Sequence, residues 1–311
     1  MHWRLKGAIQ KFLGHVPLGD HLHYVLQRRA GGLRHFEREL DAKLEDWRLM
    51  IGHLRTVGID PAGARFVEVG TGWYPTFPLT LYLAGAARVS TFDLNRHVKP
   101  ELTRRLVTVL GERLGFVAEA ADRPVADVER AYRPLAEAIA AGAPLDAATD
   151  AVVAYRAPGD ASVTGLPAGS VDVVFSNSVL EHVPAPAIER CLAEAMRVLR
   201  PGGVVFHSVN CGDHYAYADP AIDQLNYLRY SDAAWRKWNN AFLYQNRLRA
   251  ADFTAMARAA GFTIEVDTSR PHPERLRQLA RTPVHPDFGH YDRDQLAITS
   301  IDFVGRKPAS R

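Results

Sequence analysis

From Arg65 onward the chain alternates short, continuously apolar runs with helix-length segments, and this pattern limits its fold more than any other feature. The apolar runs are "RFVEVG", "RVSTFDLN", "AVVAYRA", "VDVVFSN", "GVVFHSVN", "FTIEVDT" and "LAITSIDFVGRK". Between them lie "TFPLTLYLAGA", "ELTRRLVTVLGERLG", "PAIERCLAEAMRVL" and "AADFTAMARAAGF", which carry apolar residues at helical spacing. Apolar strands without polar alternation are buried on both faces, and helices between them supply the cover. The pattern therefore predicts an α/β fold with seven strands, mostly parallel and doubly wound.

Three segments stand outside the alternation. Residues 1–60 read as helical, with Leu33, Phe36, Leu40, Leu44, Trp47, Ile51 and Leu54 forming one apolar stripe. "MHWRLKGAIQKFLGHV" reads as a short helix, Gly31-Gly32 as a break, and Gly58 and Pro61 as the close of an N-terminal helical cap. Residues 61–311 then form the main domain. Its insertion at about 116–150 is Ala-rich and helical; it is longer than most loops, so it packs as a cap or mediates association into a homodimer. Its insertion at 211–249 is rich in Tyr, Trp, Asn and Asp, with weak periodicity.

Composition excludes several classes of partner. The formal charge of +3 is small for 311 residues and no dense Lys/Arg run occurs, which argues against nucleic acid. No apolar run approaches the roughly 20 residues that span a bilayer. The two cysteines, Cys191 and Cys211, form no CxxC pair, which fits a reducing, cytoplasmic setting.

Ligands of a doubly wound sheet bind at the carboxyl ends of the strands, near the point where strand order reverses. After the first strand comes "GTGWYP" (70–75), a turn with two glycines. Asp93 ends the second strand 23 residues after Gly70, where a carboxylate can accept both hydroxyls of a ribose. A dinucleotide is disfavoured: the third glycine of a G-x-G-x-x-G turn would fall at Pro75, which offers no N–H to a pyrophosphate. Trp73 and Tyr74 wall the pocket or pack beneath the helical cap.

The series "VEVGTG", "FDLN", "GDASVTGLPAGSVDVVFSNSVLEHV", "AMRVLRPGG" and the final strand pair resembles the class I S-adenosylmethionine-dependent methyltransferases over roughly residues 60–306. The resemblance implies a Rossmann-like sheet and S-adenosylmethionine as cofactor. Glu68, Gly70, Thr71 and Gly72 then hold its methionine part, Asp93 its ribose, and Leu94 flanks the adenine. Asp160 and Ala161 read the adenine amino group, and Asn177 and Ser178 line the floor near the sulfonium. "LRPGG" is a structural turn.

Such a reaction needs alignment and, for a hydroxyl or protonated amine, a base. His182 in "LEHV" is one candidate, or else a residue that fixes its loop. Asp213 and His214 in "HSVNCGDHYAYADP" form the other, the acid orienting the imidazole. His207 reads as a core histidine. His207, Asp213 and His214 match no trusted metal spacing, and no metal is called for. Tyr215, Tyr227, Tyr244 and Arg247 read as the substrate wall of an aromatic lid, or as a self-packed insertion. The expected acceptor is a small organic molecule methylated on O or N. A nicotinamide oxidoreductase, an enzyme using the cofactor without methyl transfer, and a non-catalytic scaffold are the alternatives.

Overall fold

The computed structural model describes residues 2–14, 16, 22, 24, 32–240 and 242–309; Gly31 and the side chain of Leu33 lie outside them. The first apolar run forms β1 (Arg65–Val69), and the others form β2 (Arg88–Phe92), β3 (Val153–Arg156), β4 (Val171–Asn177), β5 (Leu199–Asn210), β6 (Thr263–Asp267) and β7 (Ser300–Arg306). They make one sheet in the order β3-β2-β1-β4-β5-β7-β6. β1 to β5 run parallel, and β7 lies antiparallel to both β5 and β6. The order reverses between β1 and β4, so the switch point lies where the glycine turn leaves β1.

Two helical layers follow from the period of two along each strand. The first helix is α1 (Trp3–Leu13). Phe66, Phe175 and Phe206 face one layer, built from α2 (Phe36–Thr56), α3 (Thr76–Leu83), α4 (Pro100–Gly111), α5 (Leu114–Ala121) and α6 (Val125–Ala140). Val67, Val174 and Val205 face the other, built from α7 (Ala185–Val198) and α8 (Ala250–Ala259). α1 itself (Trp3–Leu13) belongs to neither layer.

The apolar stripe of α2 from Phe36 to Leu54 is fully buried in the first layer. The 116–150 insertion joins the same layer through Val117, Val128, Leu135 and Ile139. The predicted helix over 101–115 is broken after Gly111, and a new helix begins at Leu114. The fifth strand starts earlier than expected, because Leu199 already pairs with Val171. Gly202 (φ +77°) and Gly203, whose Cβ would stand 3.0 Å from the carbonyls of Arg200 and Asp172, let the chain fold through this irregular start. The last strand starts later than expected. Residues 293–297 are helical, capped by the reciprocal pair Asp292 and Gln295, and they use up the "LA" of the apolar run.

The 211–249 insertion builds a third core. Trp3 of α1 sits at its centre, with ring centroids 4.9 Å from Trp238, 5.4 Å from Tyr215, 5.8 Å from Tyr230 and 6.0 Å from Trp235. Gly7 permits this approach, since a Cβ there would meet the Tyr215 hydroxyl at 2.9 Å. Leu279, Phe288 and Leu296 close the cluster from the connection between β6 and β7.

Candidate active site

Gly70 leaves β1 with φ +80°, and a Cβ there would lie 2.6 Å from the Val179 side chain. Only glycine fits both demands. Gly72 also has positive φ, and the space beside it is open, so a ligand can approach its backbone. Pro75 stands at the N-cap of α3, where the helix needs no N–H from it.

Two acids flank this turn. Glu68 is buried, accepts from the Thr91 hydroxyl at 2.5 Å, and is pushed up to about 8 by burial. Thr71 reaches the same hydroxyl, which ties the turn to β2. Asp93 is pushed up to about 6, also by burial, against the pull of Tyr155 and the turn. The Tyr155 hydroxyl donates to Asp93 Oδ2 at 3.2 Å, and the amides of Thr71 and Gly72 face its carboxylate. Leu94, next to it, is 69% exposed, an unusual placement for a leucine beside a buried acid. Asp160 is exposed after β3 and accepts from Ser162 N at 2.8 Å, with Ala161 half-buried between them.

Tyr74 packs beneath α2, its ring 4.8 Å from Phe36. Trp73 is half-buried between Tyr24 and His97, each at 5.3 Å. α2 also brings polar groups to the site. Asn177 donates to Asp46 at 3.1 Å, and Lys43 acts electrostatically on both Asp46 and Glu68. Ser178 follows with φ +54° and is exposed at the strand end.

The second cluster lies where the chain leaves β4 and β5. "LEH" forms a single 3-10 turn, Leu180–His182. Its Glu181 is 2% exposed and neither carboxylate oxygen has a hydrogen-bond partner. The amides of Asn210 and of Glu181 itself face the carboxylate without reaching hydrogen-bond geometry, and burial pushes it up to about 8. His182 bonds the Tyr244 carbonyl through Nδ1 at 2.7 Å, and burial lowers its basicity. His214 stacks edge-on against His182 at 4.8 Å, and its Nε2 is buried without a partner. Burial, and then the facing His182, push His214 down to about 3.

Four sequence expectations are corrected here. Asp213 does not orient His214: its carboxylate accepts from Tyr215 N and Asn226 Nδ2, both at 2.8 Å, and caps a 3-10 turn. The acid beside His214 is Glu181, 4.0 Å from Nε2. Tyr215 is buried and donates to the Trp238 carbonyl at 2.8 Å. Tyr227 is fully buried, its hydroxyl held between Cys211 O and the Arg249 guanidinium. Arg247 is buried, bonded to the carbonyls of Tyr227 (3.0 Å) and Tyr230 (2.6 Å) and to Asp232, and stacked 4.8 Å over Phe288. These three side chains have internal partners and hold the insertion together. Tyr244, half-buried, is the member of the predicted wall that stands beside the histidines. His207 is a core histidine as expected, paired with Ser176 at 2.7 Å.

Sequence reasoning missed Glu181, Tyr155 and the Asp46–Lys43 edge of α2. The first lies in "LEHV" itself, and its signal was an acid directly beside the candidate histidine.

Residues 131–207 match a family model described as "Methyltransferase domain". The match runs from α6 into β5 and includes the 3-10 turn, but not the glycine turn after β1. No curated protein matches the sequence significantly. Among solved structures, the chain is similar to geranyl diphosphate methyltransferase in complex with SAM, at 15% identity and a TM-score of 0.49, over 92% of this chain and 94% of that one. It is also similar to an S-adenosylmethionine-dependent methyltransferase from Mesorhizobium loti, at 15% identity and 0.44, over 82% and 96%. A third is the [4+2]-cyclase SpnF, at 14% identity and 0.44, over 85% and 82%.

Proposed function

We infer that this chain, whose sheet order and methyltransferase-domain segment fit the class I methyltransferases, transfers a methyl group from S-adenosylmethionine to O or N of a small organic acceptor. The observation that carries the reading is the turn at the switch point. There, two positive-φ glycines with open space beside Gly72 stand between the buried acids Glu68 and Asp93. The turn offers backbone and carboxylates, and Pro75 withholds an N–H that a pyrophosphate would use, which suits a nucleoside carrying an amino acid. Glu68 and the turn would hold the methionine part, Asp93 the ribose, Leu94 and Ala161 the adenine faces, Asp160 its amino group, and Asn177 and Ser178 the floor.

When bound, the cofactor supplies an already activated methyl on a sulfonium, so the protein's contribution is alignment and removal of a proton. His182 and His214 are suited to the second task. The bond from His182 Nδ1 to the Tyr244 carbonyl fixes the proton on Nδ1 and leaves Nε2 as an acceptor. Burial keeps both rings neutral at neutral pH, so Nε2 can accept a hydrogen bond from an acceptor hydroxyl or ammonium, while the same burial lowers the basicity of both rings. Asp213 supports this indirectly, by capping the turn that begins at His214.

Native mass spectrometry of the purified protein tests the reading by looking for retained S-adenosylhomocysteine and a second small molecule. With an acceptor in hand, His182→Ala and His214→Ala lower turnover and leave cofactor affinity unchanged. Normal turnover in both removes the histidines from the chemistry, and substrate conversion without S-adenosylhomocysteine removes methyl transfer.

A further inference from the structure

We propose that Glu181, His182 and His214 form a binding site for a divalent transition-metal ion of the zinc type. One ligand atom from each side chain lies within 4.8 Å of the other two. Two imidazoles and a carboxylate are the donor set that zinc takes in open, three-ligand sites, with the fourth position left for a small molecule. Ligand atoms around a tetrahedral zinc stand about 3.4 Å apart, given bonds of about 2.1 Å. The three groups therefore need to draw together by roughly an ångström on binding.

Three independent features favour an ion over a bare polar cluster. Glu181 is buried with both oxygens unpartnered, and His214 Nε2 is buried and unpartnered beside it. Orphaned buried acceptors of this kind are costly and rare unless something binds them. His182 donates Nδ1–H to a backbone carbonyl, the outer contact that fixes a ligating histidine and presents Nε2. Consecutive residues of the lid also brace all three donors. Tyr244 O holds the His182 ring, and Gln245 Oε1 accepts from His214 N at 3.1 Å. Asn246 donates N to Glu181 O at 3.0 Å and Nδ2 to the carbonyls of Leu180 and Val183. Lys6 acts electrostatically on His214 against a cation, and burial of Lys6 disfavours that opposing charge.

The site deepens the methyl-transfer reading, and only its chemical use rests on that reading. A hydroxyl acceptor in the fourth position becomes more acidic and releases its proton to solvent. Its oxygen then forms the O–CH3 bond while the C–S electron pair returns to sulfur. In this scheme the ion takes over proton removal from the histidines, which act as ligands and take up no proton.

The test uses the full chain, stripped with chelator and titrated with Zn2+ by calorimetry and with Co2+ by visible absorption. One equivalent of each is expected, with the intense bands of four-coordinate cobalt. Glu181→Gln, which keeps shape and volume, and His214→Ala should each weaken Zn2+ at least about tenfold, the scale on which losing even an outer-shell contact acts. Cooperative thermal unfolding of each variant shows that the fold is kept. Substoichiometric uptake by the unsubstituted protein overturns the proposal. So does affinity unchanged in both variants, which places the ion on surface histidines. S-adenosylhomocysteine titration runs alongside: zinc bound without the nucleoside counts against methyl transfer and leaves the ion site standing, and the reverse result sinks the ion site alone.

Discussion

The mouth of β1 to β3 and the 211–249 insertion both offer aromatic rings, acids and amides, and the sequence marks the first as a ligand site and the second as either a substrate wall or a self-packed insertion. They differ in where their polar atoms go. At the first, the amides of Thr71 and Gly72 face the Asp93 carboxylate, and the space beside Gly72 is open. In the insertion, Tyr215, Tyr227, Arg247 and Arg249 spend their donors on carbonyls and on one another. Satisfied polar atoms make a core even when the residue types suggest a pocket. By this criterion the insertion is a brace, and its run 244–246 hydrogen-bonds the segments that carry Glu181 and the two histidines.

The sharpest way to break this comparison is Trp235→Ala. The ring is 2% exposed and packs against Trp3, Tyr215, Tyr227 and Tyr230. Truncating a buried aromatic of this kind costs about 3–5 kcal/mol. Denaturant unfolding should show that loss, with S-adenosylhomocysteine affinity unchanged in the folded protein. A stable variant with weakened small-molecule binding would make the insertion a pocket after all.

Asp93→Ala is the matching test at the other region. If Asp93 holds the two ribose hydroxyls, removing the carboxylate deletes charge-assisted hydrogen bonds worth about 3 kcal/mol together, and the dissociation constant should rise about 100-fold. Calorimetry with S-adenosylhomocysteine reads it. Intact affinity would mean that the end of β2 is not where the ribose sits.

Physical reasons separate what the sequence made legible from what it hid. Glu68 and Asp93 are legible because parallel pairing fixes the ends of neighbouring strands, so two acids at the ends of two apolar runs must meet. Asn177 is legible in the same way. The Glu181–His214 contact joins residues from two different connections and depends on how a one-turn segment after β4 faces the loop after β5, which no period encodes. Nor does composition separate core from pocket in 211–249. The residue that fills that space is Trp3, more than two hundred positions earlier and outside any pattern shared with the insertion. The final strand misled at its start because "LA" is apolar in a helix or a strand, and the capping pair Asp292–Gln295 decides between them.

A smaller effect follows from pH. The Asp93 carboxyl sits near 6 in the folded protein against about 4 for an unperturbed aspartate. The folded state therefore binds this proton more tightly, so Asp93's contribution to ligand-free stability falls as pH rises from about 4 to about 6 and is level above that. Ribose hydroxyls require the ionised acceptor, so affinity changes the opposite way. At pH 5 only about a tenth of Asp93 is ionised, and S-adenosylhomocysteine should bind about tenfold more weakly than at pH 8. Asp93→Asn should remove this pH dependence along with most of the affinity. A wild-type affinity that is flat from pH 5 to 8 would detach the carboxylate from the ligand.

The smallest effect separates the two regions most cleanly, because it acts through a residue the fold does not use. Leu94 is 69% exposed, so in the free protein its side chain lies mostly in water. Leu94→Ala should leave the unfolding free energy within about 0.5 kcal/mol of the parent, as for other surface positions. If an adenine ring covers that side chain, the variant loses the apolar area buried on binding. That area is worth about 1 kcal/mol, or roughly fivefold in affinity. A residue that is silent in folding and audible in binding is the opposite of Trp235. Should Leu94→Ala lower stability and leave binding untouched, the open mouth of β2 would belong to the fold rather than to a nucleoside.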